Sequence, residues 1–242
     1  MSEPIKLFGK LSEYYPEPEA GDRVVSAASS LAGLVPGHFD TLTGLVNAWL
    51  GPPLEKRKER WCKMLADVVQ ELCDRFQGFD PNELNKNEKF VSAVVEASHI
   101  AVSTHQAAKR EMLRNALIKI GSGEGPNEDL QQVYFRIIDA LTPSHIQVLF
   151  LIWTAVSQMA QRPQNPLAQG TTYSPMMEEQ FPELLSNREL LDHIIRDLND
   201  FHLVENRFPG RVFPDVPTTS NLITNDGINF LNFILAPENL PK

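Results

Sequence analysis

Two histidines, His99 and His105, lie six residues apart, with Glu96 and Glu111 near them in the chain. A chelating pair on a helix needs a spacing of three or four, so that both rings leave one face, as in His-Glu-x-x-His. Six residues rotate a helix by a net angle of about 240°, so the two imidazoles diverge and no metal site is expected. His105 is read instead as a buried, hydrogen-bonded polar residue that fixes helix register. Thr104, Gln106, Glu111 and Arg114 are its candidate partners. Cys62 and Cys73 fall on the same face of one predicted helix. Their separation of roughly 16 Å along the axis is too far for a bridge. Two cysteines fit a reducing compartment. A reactive-thiol reading of Cys62 has only its neighbours Arg60 and Lys63 behind it, so both thiols are read as structural. The carboxylates Glu178, Glu179 and Glu183 read as a solvated helix face rather than an acid/base pair. The loop Gly121–Pro126 has no Lys-Ser/Thr after it, which excludes a phosphate loop. There is no Gly-x-Ser-x-Gly elbow, Cys-x-x-Cys pair or dinucleotide fingerprint. The sequence therefore predicts a non-enzymatic protein with no catalytic residues, no cofactor and no evident small-molecule substrate.

What remains is a contrast of polarity. Residues 24–54 carry one formal charge, Asp40, and a dense charged run, Glu55-Lys56-Arg57-Lys58-Glu59-Arg60, follows at once. Leu34, Phe39, Leu42 and Trp49 of the apolar segment, with Lys56, Arg57, Lys58 and Arg60, are the candidate membrane-facing or partner-binding residues. Two readings stay open. As core, the segment folds as two short helices packed on Trp61, Val68 and the helix that follows. As a membrane element, it lies in the interface or inserts as a hairpin, with Trp49 at headgroup level and the basic collar on anionic lipid.

These residues need elements to position them. Pro36-Gly37 separates helices over 24–35 and 39–50, and Gly51-Pro52-Pro53 stops the second and opens a third. Apolar residues Trp61, Leu65, Val68, Leu72 and Phe76 form a helical stripe over 54–76. The longest element is predicted over 88–120. In it Val91, Ser98, His105 and Met112, and also Val94, Ala101, Ala108 and Asn115, recur every seven residues as a seam of mostly small side chains. A helix over 128–141 follows. Thr142-Pro143 then opens an unusually apolar helix over 144–162, too short and interrupted to read as a transmembrane span. Helices over 176–185 and 187–202 come next, the second behind a Ser186–Glu189 capping box. Short strands at Leu203-Val204 and Leu222-Ile223 and a last helix over 225–235, capped by Thr224, complete the chain.

The order helix, helix, helix, strand, loop, strand, helix is that of a winged helix. The fold class expected is mainly α, a helical bundle around one long helix followed by a winged-helix-like α+β module. Residues 1–22 are read as a flexible lead-in, 23–141 as the bundle and 142–242 as the module. The chain of 242 residues has net charge −9. Residues 164–242 hold five basic and eleven acidic groups, whereas 23–163 balance fifteen against fifteen. The helix that would enter a DNA groove sets Arg188 and Arg196 against Glu189, Asp192, Asp197 and Asp200, which argues against a nucleic-acid partner.

The stretches LVPG (34–37), PPLEKRKERW (52–61), NEKFVSAVVEASHIAVSTHQAAKREMLRNALI (87–118), EDLQQVYFRIIDALTPSHIQVL (128–149) and LITNDGINFLNFI (222–234) resemble the Abi-alpha (abortive-infection alpha) type of bacterial protein and its uncharacterised relatives. The resemblance implies a role in phage defence by damaging or arresting the host cell, and it supplies no catalytic residue. The expectation is a cytoplasmic effector or effector component that binds a protein partner or itself and acts peripherally at the inner membrane. The alternatives are a winged-helix transcriptional regulator that binds DNA, or a scaffold or oligomerisation subunit of a defence complex.

Overall fold

A computed structural model describes residues 55–76, 80–84, 86–161, 172–205 and 222–240. The lead-in over 1–22 and the apolar segment over 24–54, with Leu34, Phe39, Leu42 and Trp49, lie outside the described residues. The described chain is mainly helical and divides between Asp139 and Ala140 into two compact units.

The first unit is built from α1 (Glu55–Arg75), α2 (Pro81–Leu84), α3 (Glu88–Ser103), α4 (Ala107–Gly121) and α5 (Glu128–Ala140). The stripe of α1 is buried as its spacing demands: Trp61, Leu65, Val68 and Leu72 are each at most 2% exposed. Asn87 starts α3 by accepting the Phe90 N–H at 3.2 Å, and Asn127 starts α5 by accepting that of Leu130 at 2.9 Å. Small residues on α3, Ala93, Ala97 and Ala101, are fully buried and let α1 and α4 approach closely. At Gly121, where α4 ends, a Cβ would come within 2.6 Å of the Leu72 side chain, so only glycine closes this corner without a shift.

The single long helix predicted over 88–120 is two helices. The chain leaves helical geometry at Thr104 (ψ 143°) and Gln106 (ψ 115°). The physical reason is local. The Ser103 hydroxyl donates back to the Ile100 carbonyl and the Thr104 hydroxyl accepts the Gln106 N–H, which offers the backbone an alternative to the helical ladder. The seven-residue seam fails at this point. Ser98 and Met112 are buried, but His105 is exposed in the break and is not the buried register residue the spacing predicts.

The second unit holds α6 (Pro143–Gln161), α7 (Ser174–Gln180), α8 (Pro182–Ser186), α9 (Arg188–Asp200) and α10 (Asn225–Ile234). Val148, Leu149, Leu151 and Ile152 bury α6 against Leu191, Ile194 and Leu198 of α9 and Phe230 and Leu231 of α10. Asn187, rather than Ser186, caps α9 by accepting the Leu190 N–H. Thr224 caps α10 by accepting the Gly227 N–H at 2.9 Å. A Cβ on Gly227 would lie 2.3 Å from the Leu203 carbonyl oxygen, so the glycine permits a backbone contact between α10 and the chain leaving α9. The strands of the winged-helix expectation do not form among the described residues. One isolated antiparallel bridge joins Val204 to Ile223, and residues 206–221, where a wing would lie, are outside the described set. One bridge fixes two backbone positions and makes no sheet.

No single helix among the described residues is long and apolar enough to cross a membrane.

Candidate functional site: a cationic helix break

The charged run that opens α1 is not a uniform collar. Helical periodicity turns Lys58 onto the stripe of Trp61 and Leu65, where it is 8% exposed and its aliphatic stem packs with the core. Arg57 is half-buried, and Lys56 and Arg60 are exposed. Of the four predicted basic residues, two are thus exposed.

Arg57 has a specific task. Its Nη1 donates to the Val102 carbonyl at 3.2 Å and the Ser103 carbonyl at 3.0 Å. These are orphan acceptors at the C-terminus of α3, which ends without a glycine cap. A guanidinium there satisfies both carbonyls and the helix dipole. Arg110, in the first turn of α4, reaches the same break from the other side, with Nη1 3.5 Å from the Thr104 carbonyl. Arg110 is 8% exposed. Burial, then the guanidiniums of Arg60 and Arg57, lower its affinity for its proton, with Glu111 opposing. Arg57 and Arg110 therefore meet at the carbonyls of Val102–Thr104 from two helices, with Arg60 close enough for its charge to act on Arg110.

This arrangement runs against two ordinary rules. Like charges in contact repel, and a cation in the first turn of a helix opposes the macrodipole. The first turn of α4 carries Lys109 and Arg110, no acidic residue, and no side-chain cap at Gln106. Lys109 finds the Asp139 carbonyl at 2.6 Å. Among the described residues, Arg57, Arg60 and Arg110 form no ion pair, while Glu59 is engaged by Lys63 and Glu71 by Arg75 and Arg114. Such a cluster can bind anions through forked, charge-assisted hydrogen bonds. It does no acid/base chemistry, because guanidinium keeps its proton at neutral pH. Arg110 was missed by sequence reasoning: it lies fifty residues beyond Arg60, and only the fold brings them together.

The other sequence candidates stay apart. His99 and His105 are both exposed, one on α3 and one in the break. Among the described residues no group of three or more His, Cys, Asp or Glu gathers as a metal would require. Burial, then the Glu59 carboxylate, push the Cys62 thiol up, against Lys58, which makes it a poor nucleophile. A groove of about 520 Å³ runs between α3 and α5, with Glu96, Asp129, Asp139 and Arg136 along an apolar floor of Ile100 and Phe135.

Sequence reasoning also passed over His145. Its Nδ1 lies 3.2 Å from the Thr142 backbone nitrogen and 2.7 Å from the Thr142 Oγ1, and its Nε2 lies 3.1 Å from Asp197 Oδ2. The Thr142 N–H must donate, so Nδ1 carries a lone pair and Nε2 carries the proton that points at Asp197. The order hydroxyl, imidazole, carboxylate is that of a catalytic triad, but a backbone amide already occupies the basic nitrogen. The unit is one half of a capping box, in which histidine replaces glutamate three residues after threonine and accepts the Thr142 N–H, and it ties α6 to α9. The signal was Thr142-Pro-Ser-His145, legible as box spacing.

No family model, curated protein or solved structure matches the chain.

Proposed function

We propose that the protein is a non-enzymatic phage-defence effector, or a component of one, that engages an anionic membrane surface through the basic end of its first unit. The observation that carries this reading is the gathering of Arg57, Arg60 and Arg110 at the α3–α4 break, at the end of α1 that follows the apolar segment 24–54 directly in the chain. A basic patch beside apolar residues is the combination that holds peripheral proteins on anionic lipid. The second unit serves as the protein-contact module. Its α9 exposes Glu189, Asp192 and Asp200, with Arg196 among them and Leu190 at the edge of the exposed face.

The test is flotation of the full chain with phosphatidylglycerol vesicles beside a Lys56→Gln/Arg60→Gln variant. Both positions are exposed, so the variant leaves the core and the Arg57 cap in place. Flotation that the variant loses supports membrane action; no flotation of the parent chain on these vesicles or on phosphatidic acid vesicles sinks it. The defence role is read separately, from phage plaque counts on bacteria expressing the parent chain or the variant. Equal plaque counts with and without the protein would refute it.

A further inference from the structure

We propose that Arg57, Arg60 and Arg110, gathered at the break between α3 and α4, form a receptor for a phosphate monoester dianion. The proposal rests on the reading that this end of the unit is its binding surface, and it names the chemical group recognised there.

Geometry comes first. Arg57 and Arg110 reach adjacent carbonyls of one three-residue stretch, Val102, Ser103 and Thr104, from two different helices. Their guanidinium groups are thereby held near each other by backbone that cannot move away. Arg57 commits one nitrogen to this stretch, and among the described residues the donors of the other two have no acceptor. Among the described residues the buried Arg110 makes one long side-chain contact, of 3.5 Å, which leaves the rest of its fork without a described acceptor. Arg60 is exposed and near enough to be felt by Arg110, one helical turn from Arg57 on α1.

Charge comes second. None of the three cations forms an ion pair among the described residues; Glu111, next to Arg110 in the chain, offsets only part of the repulsion, and on α1 Glu59 pairs with Lys63 and Glu71 with Arg75. An arriving dianion removes the repulsion among the guanidiniums and reverses the unfavourable helix-dipole contact of Arg110 in a single step. A carboxylate or a phosphodiester brings one negative charge against three. A monoester brings about two, together with three terminal oxygens that accept forked bonds. The cluster is a point, not a track, and the chain as a whole is anionic at −9, which disfavours a polynucleotide.

A monoester can come from a lipid headgroup or from a free phosphate compound, and the experiment separates them. The full chain is floated with phosphatidylcholine vesicles containing phosphatidic acid, a monoester, or phosphatidylglycerol, a diester, at matched surface charge. Binding of inorganic phosphate in solution is followed by calorimetry. Arg60→Gln and Arg110→Lys are compared with the parent. The first is at an exposed position, and the second keeps the charge while losing the fork; circular dichroism confirms that both are folded. The expected result is preferential flotation with phosphatidic acid, weakened roughly tenfold by each variant, the size of one charge-assisted hydrogen bond. Saturable phosphate binding without flotation on either vesicle keeps the receptor and overturns the membrane reading. Equal flotation on both vesicles, unchanged by Arg110→Lys, overturns the receptor and keeps the membrane reading. No binding of any probe overturns both.

Discussion

Trp61 is fully buried on α1, and its indole N–H donates to the Ser98 hydroxyl at 2.8 Å, which itself donates to the Val94 carbonyl at 2.6 Å. The chain of donors is complete, so a tryptophan can sit in the core with no polar atom stranded. Ser98→Ala leaves the indole N–H buried without an acceptor and should cost about 1–3 kcal/mol. Trp61→Phe removes the donor and should make a following Ser98→Ala nearly neutral. Urea unfolding of the two single variants and the double gives the coupling; additive losses would refute the pairing. Glu96 gives a residue-scale pH dependence. Burial in the α3–α5 groove raises its carboxyl above the ordinary range. The folded state therefore holds that proton more tightly than the unfolded chain does. Stability falls as pH rises through the window between the unfolded and the raised folded value, and the loss persists at neutral pH. Glu96→Gln should be the more stable form at about pH 7 and should lose that advantage near pH 4, below the window. An advantage equal at both pH values would show that the carboxyl is not the cause.

At the scale of elements, boundaries were legible wherever a proline, a glycine or a capping residue marks them. The stripe of α1, the Thr142-Pro143 start of α6 and the Thr224 start of α10 all stand where the sequence places them. The α3–α4 break was not legible, because a seven-residue count continues smoothly through Ser103-Thr104 while the decisive event is local side-chain competition for the backbone. Lys58 shows the opposite fault, since its burial follows from periodicity once the charge run is read as a helix instead of a cluster. Two helix ends make predictions. The end of α9 has the Leu203 N–H on the Leu198 carbonyl and the His202 N–H on that of Asn199, with His202 at φ 58°. This is a Schellman ending with a histidine where glycine is most at ease. His202→Gly should stabilise the unit by about 1 kcal/mol, the usual cost of a left-handed side-chain residue; a lower urea midpoint would contradict that account. At the start of α6, His145→Ala removes both the cap acceptor and the tie to Asp197 and should cost about 1–2 kcal/mol. His145→Gln restores the acceptor in its ordinary capping-box form and should recover part of the loss. If glutamine is no better than alanine, the cap is not what His145 supplies.

At the scale of the whole molecule, an anionic chain of net charge −9 is asked to bind an anionic surface through a few cations. The two demands act over different distances. At an ionic strength of about 0.01 M the screening length is about 30 Å, and the membrane feels the net charge of the protein as repulsion. At about 0.1 M it is about 10 Å, so distant acidic groups are screened while arginines in contact with headgroups are not. At about 1 M the contact itself is weakened. Vesicle binding should therefore pass through a maximum at intermediate salt, instead of rising steadily as salt is lowered, as it does for a uniformly basic protein. The Lys56→Gln/Arg60→Gln variant should lose the maximum, because its repulsion is intact and its local attraction is reduced. Flotation across that salt series decides between a local cationic site and a diffuse electrostatic attachment. Binding that increases continuously toward low salt would mean that some larger basic surface governs, and that the arginines at the helix break are not where the membrane is met.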